Sequence, residues 1–319
     1  MSESNKFIIP QKNFGIIAEC NNNIIKETGK IDIPYSSKSV FLKNRLIVSI
    51  CFGSKPKSKR LKVFDEHGKQ LSKRTEYKFE SINFKENTVY LGGQYRNKEK
   101  ELFSYIDFTD IGFDTREVEI PVKTVMGKTI DDILIRGDIL YLVDNVVYPK
   151  YIFKYDISAA NNPRHIETCK LENNGTYENI IKGDINENWI VLFSSSVGRC
   201  GAKQHISIIG KEEQWNKQNC LTFLTGKSYS DSHEFSRVLD ICVIQGKLLI
   251  LKENSLCFID LENRIAEENI TQINDNNEKY NKILKVDNDC CILLNEEKYE
   301  LFNCTYFRRN SFKNSALKQ

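Results

Sequence analysis

Four short runs constrain this chain more than any other feature. They read LKVFD at 61–65, FSYID at 103–107, IFKYD at 152–156 and LCFID at 256–260. Each is an apolar-rich stretch that stops on an aspartate. Such a run is a strand leaving a packed sheet at a turn, and its recurrence sets an architecture where no single residue does.

The strands around it repeat as well. Aligned on a central glycine, 131–142 (DDILIRGDILYL) and 240–251 (DICVIQGKLLIL) match, with Asp131 on Asp240 and Gly137 on Gly246. The pattern is strand, tight turn, strand, with glycine supplying the positive φ that a two-residue hairpin favours. Weaker copies bring the units to six, starting near residues 39, 79, 130, 177, 238 and 282. Most units add the Asp-ending third strand. Several add a more polar fourth, at 116–122, 165–171 and 265–270. A spacing of about 40 to 60 residues suits a four-stranded propeller blade. The second strands, such as 46–50, 139–143 and 291–294, are the most apolar, as strands covered on both faces must be.

The last unit lacks a fourth strand after Cys304, and the segment 14–19 (FGIIAE) has no partner of its own. The expectation is an all-β chain, a single propeller domain over 1–319 with six four-stranded blades, its ring closed by that N-terminal strand. Seven blades, the seventh beginning within 20–34, is the alternative. A β-sandwich or two small β domains fit a regular repeat less well. Residues 1–13 and 308–319 are expected as loose ends.

The strand endings VFD at 63–65, YID at 105–107 and FID at 258–260 are similar to those of propellers with Leu-Val-Ile-Val-Asp-type repeats. On them the chain resembles a divergent β-propeller from residue 14 to residue 307. It departs from WD40 repeats in lacking a Trp-Asp dipeptide with an upstream Gly-His. A kelch-like double glycine occurs once, at 92–93. The resemblance implies a fold and leaves the function open.

A net charge of +3 is too near neutral to point to nucleic acid or an anionic membrane. The first ten residues lack the pattern of a signal peptide, and no run approaches the ~18–20 apolar residues of a membrane span. The expected compartment is the cytoplasm. None of the ten cysteines forms a C-x-x-C pair, so neither a zinc site nor a redox dithiol is suggested. Cys51, Cys242 and Cys257 lie in apolar strands and are expected as reduced, buried thiols. The four histidines, at 67, 165, 205 and 233, show no ligand spacing. No nucleophile elbow, Walker A loop or dinucleotide fingerprint is present, and no cofactor is expected.

The candidates for function are what interrupts the repeat. The basic run GSKPKSKRLK at 53–62 carries Lys57, Lys59 and Arg60. Tyr95 follows the double glycine, and Arg199 sits in GRCG at 198–201. The long connection 211–234 carries Trp215 and Tyr229. These residue types recur at protein interfaces. Asp131, Asp132 and Asp240 precede first strands; propeller enzymes use such acids around the channel to hold a metal, and their commoner role is to bond backbone amides. The leading expectation is a non-catalytic, protein-binding propeller, more narrowly a bacterial immunity protein that neutralises a cognate toxin, such as a nuclease, in a 1:1 complex. The alternatives are a metal-dependent hydrolase- or lactonase-like propeller with an acidic channel, and a propeller that binds RNA through the basic loop.

Overall fold

The computed structural model describes residues 5–21, 24–51, 60–74, 79–93, 102–109, 113–121, 130–144, 150–171, 180–198, 201–210, 220–225, 238–252, 255–262, 266–272, 280–286 and 290–303. Among them are 26 strands in seven antiparallel sheets. Sheet 1 is β1 (Asn5–Pro10), β2 (Gly15–Asn21) and β3 (Ile24–Ile31). Sheet 2 is β4 (Lys38–Phe41), β5 (Ile47–Cys51), β6 (Arg60–Phe64) and β7 (Gln70–Arg74). Sheet 3 is β8 (Phe79–Lys85), β9 (Thr88–Gly93), β10 (Leu102–Asp107) and β11 (Thr115–Glu119). Sheet 4 is β12 (Ile130–Arg136), β13 (Ile139–Asp144), β14 (Lys150–Asp156) and β15 (Arg164–Leu171). Sheet 5 is β16 (Ile180–Ile185), β17 (Trp189–Gly198), β18 (Gly201–Gly210) and β19 (Cys220–Thr225). Sheet 6 is β20 (Val238–Ile244), β21 (Lys247–Lys252), β22 (Ser255–Asp260) and β23 (Ala266–Gln272). Sheet 7 is β24 (Lys282–Lys285), β25 (Cys290–Leu294) and β26 (Tyr299–Asn303).

Seven apolar clusters join these sheets into a closed ring. Each cluster draws on two neighbouring sheets. Phe103, Tyr155 and Leu142 fill the space between sheets 3 and 4, and Leu134, Ile180 and Leu192 that between 4 and 5. The last gap is closed by Ile9, Ile16 and Ala18 of sheet 1 against Ile292 and Leu294 of sheet 7. The second strands β5, β9 and β25 are buried at every position. Their apolar runs are the response to a neighbour on each face, where each fully buried Leu, Ile or Phe contributes roughly 1.5–3 kcal/mol.

The ring closes differently from the six-blade expectation. The segment 14–19 does not complete the last sheet. It lies in β2, the middle strand of a sheet of its own, and β1 falls inside the stretch expected as a loose end. Sheet 1 escapes the repeat because its outer strand β3 is polar and mostly exposed, so nothing in its pattern marks a core strand.

The terminal aspartates of the third strands each cap a turn. Asp65, Asp107, Asp156 and Asp260 accept the backbone N–H of the residue two places on, at 3.0, 3.0, 2.8 and 2.9 Å. This is the Asx-turn that a short carboxylate makes at no cost to the strand. The residue that follows is buried in three of the four units, as Phe108, Ile157 and Leu261, and its N–H bonds back to the hairpin turn of the same sheet.

Glycine serves the hairpins as expected, with φ of 57° at Gly137 and 74° at Gly246. The register, however, moves the alignment by one. Arg136 pairs Ile139, so Gly137 is the first turn residue; Ile244 pairs Lys247, so Gly246 is the second. Asp132, not Asp131, is therefore the counterpart of Asp240. Both follow a bulge in the first strand.

Candidate functional site

The first strands β4, β8, β12, β16 and β20 lie side by side around the ring with β24 and β1. The hairpin turns of sheets 2 to 5 touch in series, so those first strands point the same way. β1 runs opposite, its turn into β2 meeting the β25–β26 turn, where Lys12 N donates to Glu296 O. Lys43 N donates to Glu86 O, and Arg136 donates to the carbonyls of Asn186 and Glu187. The ring thus has a turn end, where first and second strands meet, and an opposite loop end, where second strands leave for third strands and fourth strands for the next sheet.

Polar side chains of the first strands stitch each sheet to the next. Asn83 Nδ2 donates to Ile133 O at 2.8 Å. Asp132 Oδ2 accepts from Gly183 N at 2.6 Å, and its Oδ1 from Ile133 N at 3.1 Å. Asp184 Oδ2 accepts from Val243 N at 2.6 Å. Asp240 Oδ2 accepts from Ile283 N at 2.8 Å, while its Oδ1 accepts from Ile241 N and from Lys182 Nζ, at 2.8 and 2.7 Å. Both oxygens of Asp132 and of Asp240 are thus engaged with protein donors, and Asp132 Oδ2 and both oxygens of Asp240 take one from a neighbouring sheet. This is the backbone-bonding role. Among the described residues, no group of three His, Cys, Asp or Glu side chains is placed to hold a metal ion. The side chain of Asp131 lies outside the described residues.

The same level of the ring carries lysines. By sheet register, Lys38, Ser81, Asp132, Lys182, Asp240 and Lys282 occupy one position in six successive first strands. They sit toward the strand starts, so they surround the channel mouth at the loop end. Burial lowers the Lys282 ammonium below its ordinary value, and the charges of Lys182 and Lys38 push the same way against the pull of Asp240. Burial raises the carboxyl of Asp132, opposed by Lys38 and by the Gly183 amide. For Lys182, burial is outweighed by Asp240 and other acidic neighbours, which hold its ammonium above the usual lysine value. Lys282 Nζ donates to Tyr35 O at 3.0 Å and lies 3.9 Å from the centre of the Tyr35 ring. Lys38 is exposed. Sequence reading missed these lysines because a lysine in a strand looks like a solvated face; only the register shows that they share one level.

The remaining candidates divide by end. Arg60 is exposed and opens β6, while Lys62 is buried and donates to Asp32 Oδ2 and O at 2.8 and 2.6 Å. The basic loop is thus shorter than 53–62, and its last lysine belongs to the core. Lys57, Lys59, Tyr95, Arg199, Trp215 and Tyr229 lie outside the described residues. Connectivity gives the ends their segments join. Those of Lys57 and Lys59 (52–59), Tyr95 (94–101), Arg199 (199–200) and Tyr229 (226–237) all join strands at the loop end; that of Trp215 (211–219) joins β18 to β19 at the turn end. The last register pair flanking Arg199 is Gly198 with Gly201. The stretch 211–234 contains the fourth strand of sheet 5, β19.

Cys51, Cys169 and Cys242 are buried free thiols, and Cys290 and Cys291 are buried as well. Burial pushes Cys169 up to about 12 and also raises Cys51 and Cys242; such thiols are inert. No helix among the described residues is long and apolar enough to cross a membrane.

No family model matches the chain, and no curated protein matches it. Solved structures do. Kluyveromyces marxianus Hsv2 superposes with a TM-score of 0.57 at 8% identity, covering 94% of this chain and 93% of that one. Kluyveromyces lactis Hsv2 gives 0.55 at 8% identity, covering 93% of each chain. The tricorn protease gives 0.51 at 9% identity, covering 97% of this chain and 35% of the protease. At such identities the likeness speaks for the fold alone. The fold is a divergent β-propeller.

Proposed function

We propose that this chain is a non-catalytic, protein-binding propeller whose partner docks on the loop end of the ring. The observation that carries the reading is topological. Of the segments holding candidate contact residues, those of Lys57, Lys59, Arg60, Tyr95, Arg199 and Tyr229 join the sheets at one end. Connecting segments that share an end of a rigid ring are the usual place for recognition. The acids that a catalytic channel would use, Asp132 and Asp240, are bonded to neighbouring amides, which favours this reading over a metal-dependent hydrolase.

More narrowly, we propose a bacterial immunity protein that holds a cognate toxin one-to-one. An end of this size offers the ~1,600 Å² that a stable complex buries. The test is co-purification with the product of the adjacent gene, followed by mass determination of the complex in solution. A 1:1 complex that blocks toxicity, and that Arg199→Ala with Tyr229→Ala weakens by about a hundredfold, supports the reading. A harmless neighbour product, or a complex unaffected by both substitutions, overturns the immunity role.

A further inference from the structure

The strands of sheet 1 differ in sense from those of the other six sheets. The first strands of sheets 2 to 5 share one sense through their touching turns, and β20 and β24 keep it. Lys182 meets Asp240 and Asp184 meets Val243, at 2.7 and 2.6 Å, so β16 and β20 rise together. Asp240 meets Ile283 and Val243 meets Lys285, at 2.8 and 3.0 Å, so β20 and β24 do too. β1 falls where they rise. Its start is fixed at the turn end, where Lys6 Nζ pairs with Glu66 Oε2 of the β6–β7 turn at 2.9 Å. Its finish is fixed at the loop end, where Lys12 N donates to Glu296 O of the β25–β26 turn at 2.7 Å. β2 and β3 then alternate, and β3 is mostly exposed, as an outermost strand is. By sense, β1, β2 and β3 are the second, third and fourth strands of a four-stranded unit. The edge of β1 nearest the axis is where the first strand of that unit belongs. Among the described residues β1 pairs only with β2, although Ile8 and Ile9 are buried. Sheet 7 is the complement: its three described strands, β24, β25 and β26, have the senses of first, second and third.

We propose that the inner edge of β1 is the docking site for residues 304–319 of the same chain, which add to it as an antiparallel strand and clasp sheet 7 to sheet 1. A strand antiparallel to β1 runs from the loop end to the turn end. β26 delivers the chain to the turn end at Asn303, so the segment reaches that edge by first returning to the loop end alongside β26. The chain takes this path at every junction from sheet 2 to sheet 7: a fourth strand to the loop end, then the first strand of the next sheet. Two crossings of about six residues and a short connection need about 15 residues, and 304–319 provides sixteen. The segment, CTYFRRNSFKNSALKQ, has neither the proline nor the glycine that weakens a strand. Its tether at Asn303 holds it near the edge at an effective concentration on the order of millimolar, an advantage over any strand offered by another molecule. The clasp faces the channel and is independent of the protein-binding reading.

Hydrogen exchange on the full chain, followed residue by residue by NMR, tests it. The readout is the β1 amides that point away from β2. In the parent they exchange as slowly as the amides bonded to β2. Ala316→Pro with Leu317→Pro removes a ladder donor in either register without shortening the chain. It speeds those amides by about a hundredfold and leaves sheet 4 as protected as before. A chain ending at Asn303 shows the same loss, and the synthetic peptide 304–319 restores protection. Where the shortened chain does not fold, the doubly substituted full-length protein carries the test. Inward amides that exchange in the parent at the rate of open solvent overturn the proposal. So does protection that survives the double substitution in the folded protein. Protection that rises with protein concentration assigns the strand to a second copy and overturns the proposal as well.

Discussion

The two ends of the ring are built on opposite terms. At the turn end, neighbouring sheets interlock through short turns. Asn44 N donates to Asn87 Oδ1 at 2.7 Å, Asn44 Nδ2 to Phe108 O at 3.1 Å and Lys85 Nζ to Ile157 O at 2.7 Å. Tyr90 and Tyr105 reach the carbonyls of Ala160 and Asn161 in the next sheet at 2.7 and 2.6 Å. At the loop end, strands are joined by connections such as 52–59 and 94–101 within sheets and 226–237 between sheets, whose lengths follow no common rule. The difference teaches where this fold keeps its constraints. Residues at the turn end answer to their neighbours, and residues at the loop end are free to answer to a ligand.

The contrast can be broken at its strongest point first. Gly68, at the turn end, has φ of 89°, and a Cβ there would lie 2.1 Å from the carbonyl oxygen of Lys30 in sheet 1. Gly68→Ala should cost about 3 kcal/mol or more. Gly137→Ala, with φ of 57° and nothing within 4 Å, should cost only about 1 kcal/mol. Urea denaturation measures both, and equal costs would show that the turn end yields easily.

Next in size is the staple. Asp132→Ala leaves the Gly183 amide without its acceptor, so a loss of roughly 2 kcal/mol in unfolding free energy is expected. The same change at Asp138, an exposed turn residue that pairs with Lys85, should cost under about 1 kcal/mol.

A smaller effect appears at alkaline pH. Tyr299 Oη donates to Glu27 Oε1 at 2.6 Å across the seam between sheets 7 and 1. Burial, with that hydrogen bond and the charge of Glu27, raises its phenol from 10.0 to about 12. A folded value above the unfolded one stabilises the protein fully below pH 10, and the gain is lost as pH climbs through 12. The parent should lose stability over that window more steeply than Tyr299→Phe. Parallel slopes in denaturant midpoints measured from pH 9 to 11 would count against the bond.

The smallest change in stability belongs to the loop end. Replacing 53–59 with a Gly-Ser linker of equal length should alter unfolding free energy by less than about 0.5 kcal/mol, while capture of the partner falls. A drop of several kcal/mol would mean that the basic segment is part of the scaffold.

What sequence shows and what it hides follow from the same physics. The Asp-ending strands and the buried second strands are legible because period, apolar content and turn chemistry agree within a few residues. Sheet 1 is hidden because β3 carries an unbroken polar run, Lys26 to Lys30, and is mostly exposed. The staple at Asp132 is obscured by one place, since the glycine of one hairpin is the first turn residue and that of the other the second. The lysines of the mouth are hidden for a different reason. Lys38, Lys182 and Lys282 are far apart in the chain, and only the closed ring makes them neighbours.

The seam between sheets 1 and 7 also sets an order of events in the cell. Tyr35 and Asn281, and Glu27 and Tyr299, are partners separated by 246 and 272 positions. During synthesis, sheet 1 emerges first and can pack on sheet 2, but its other face, with Ile9, Ile16 and Ala18, has nothing to meet until residues 290–294 leave the ribosome. At ~5–20 residues per second that face stays uncovered for a quarter of a minute or more, on the order of 15–55 s. The nascent chain must be shielded for that interval, so a dependence of yield on chaperones should be strongest for substitutions in sheet 7, the last piece to arrive.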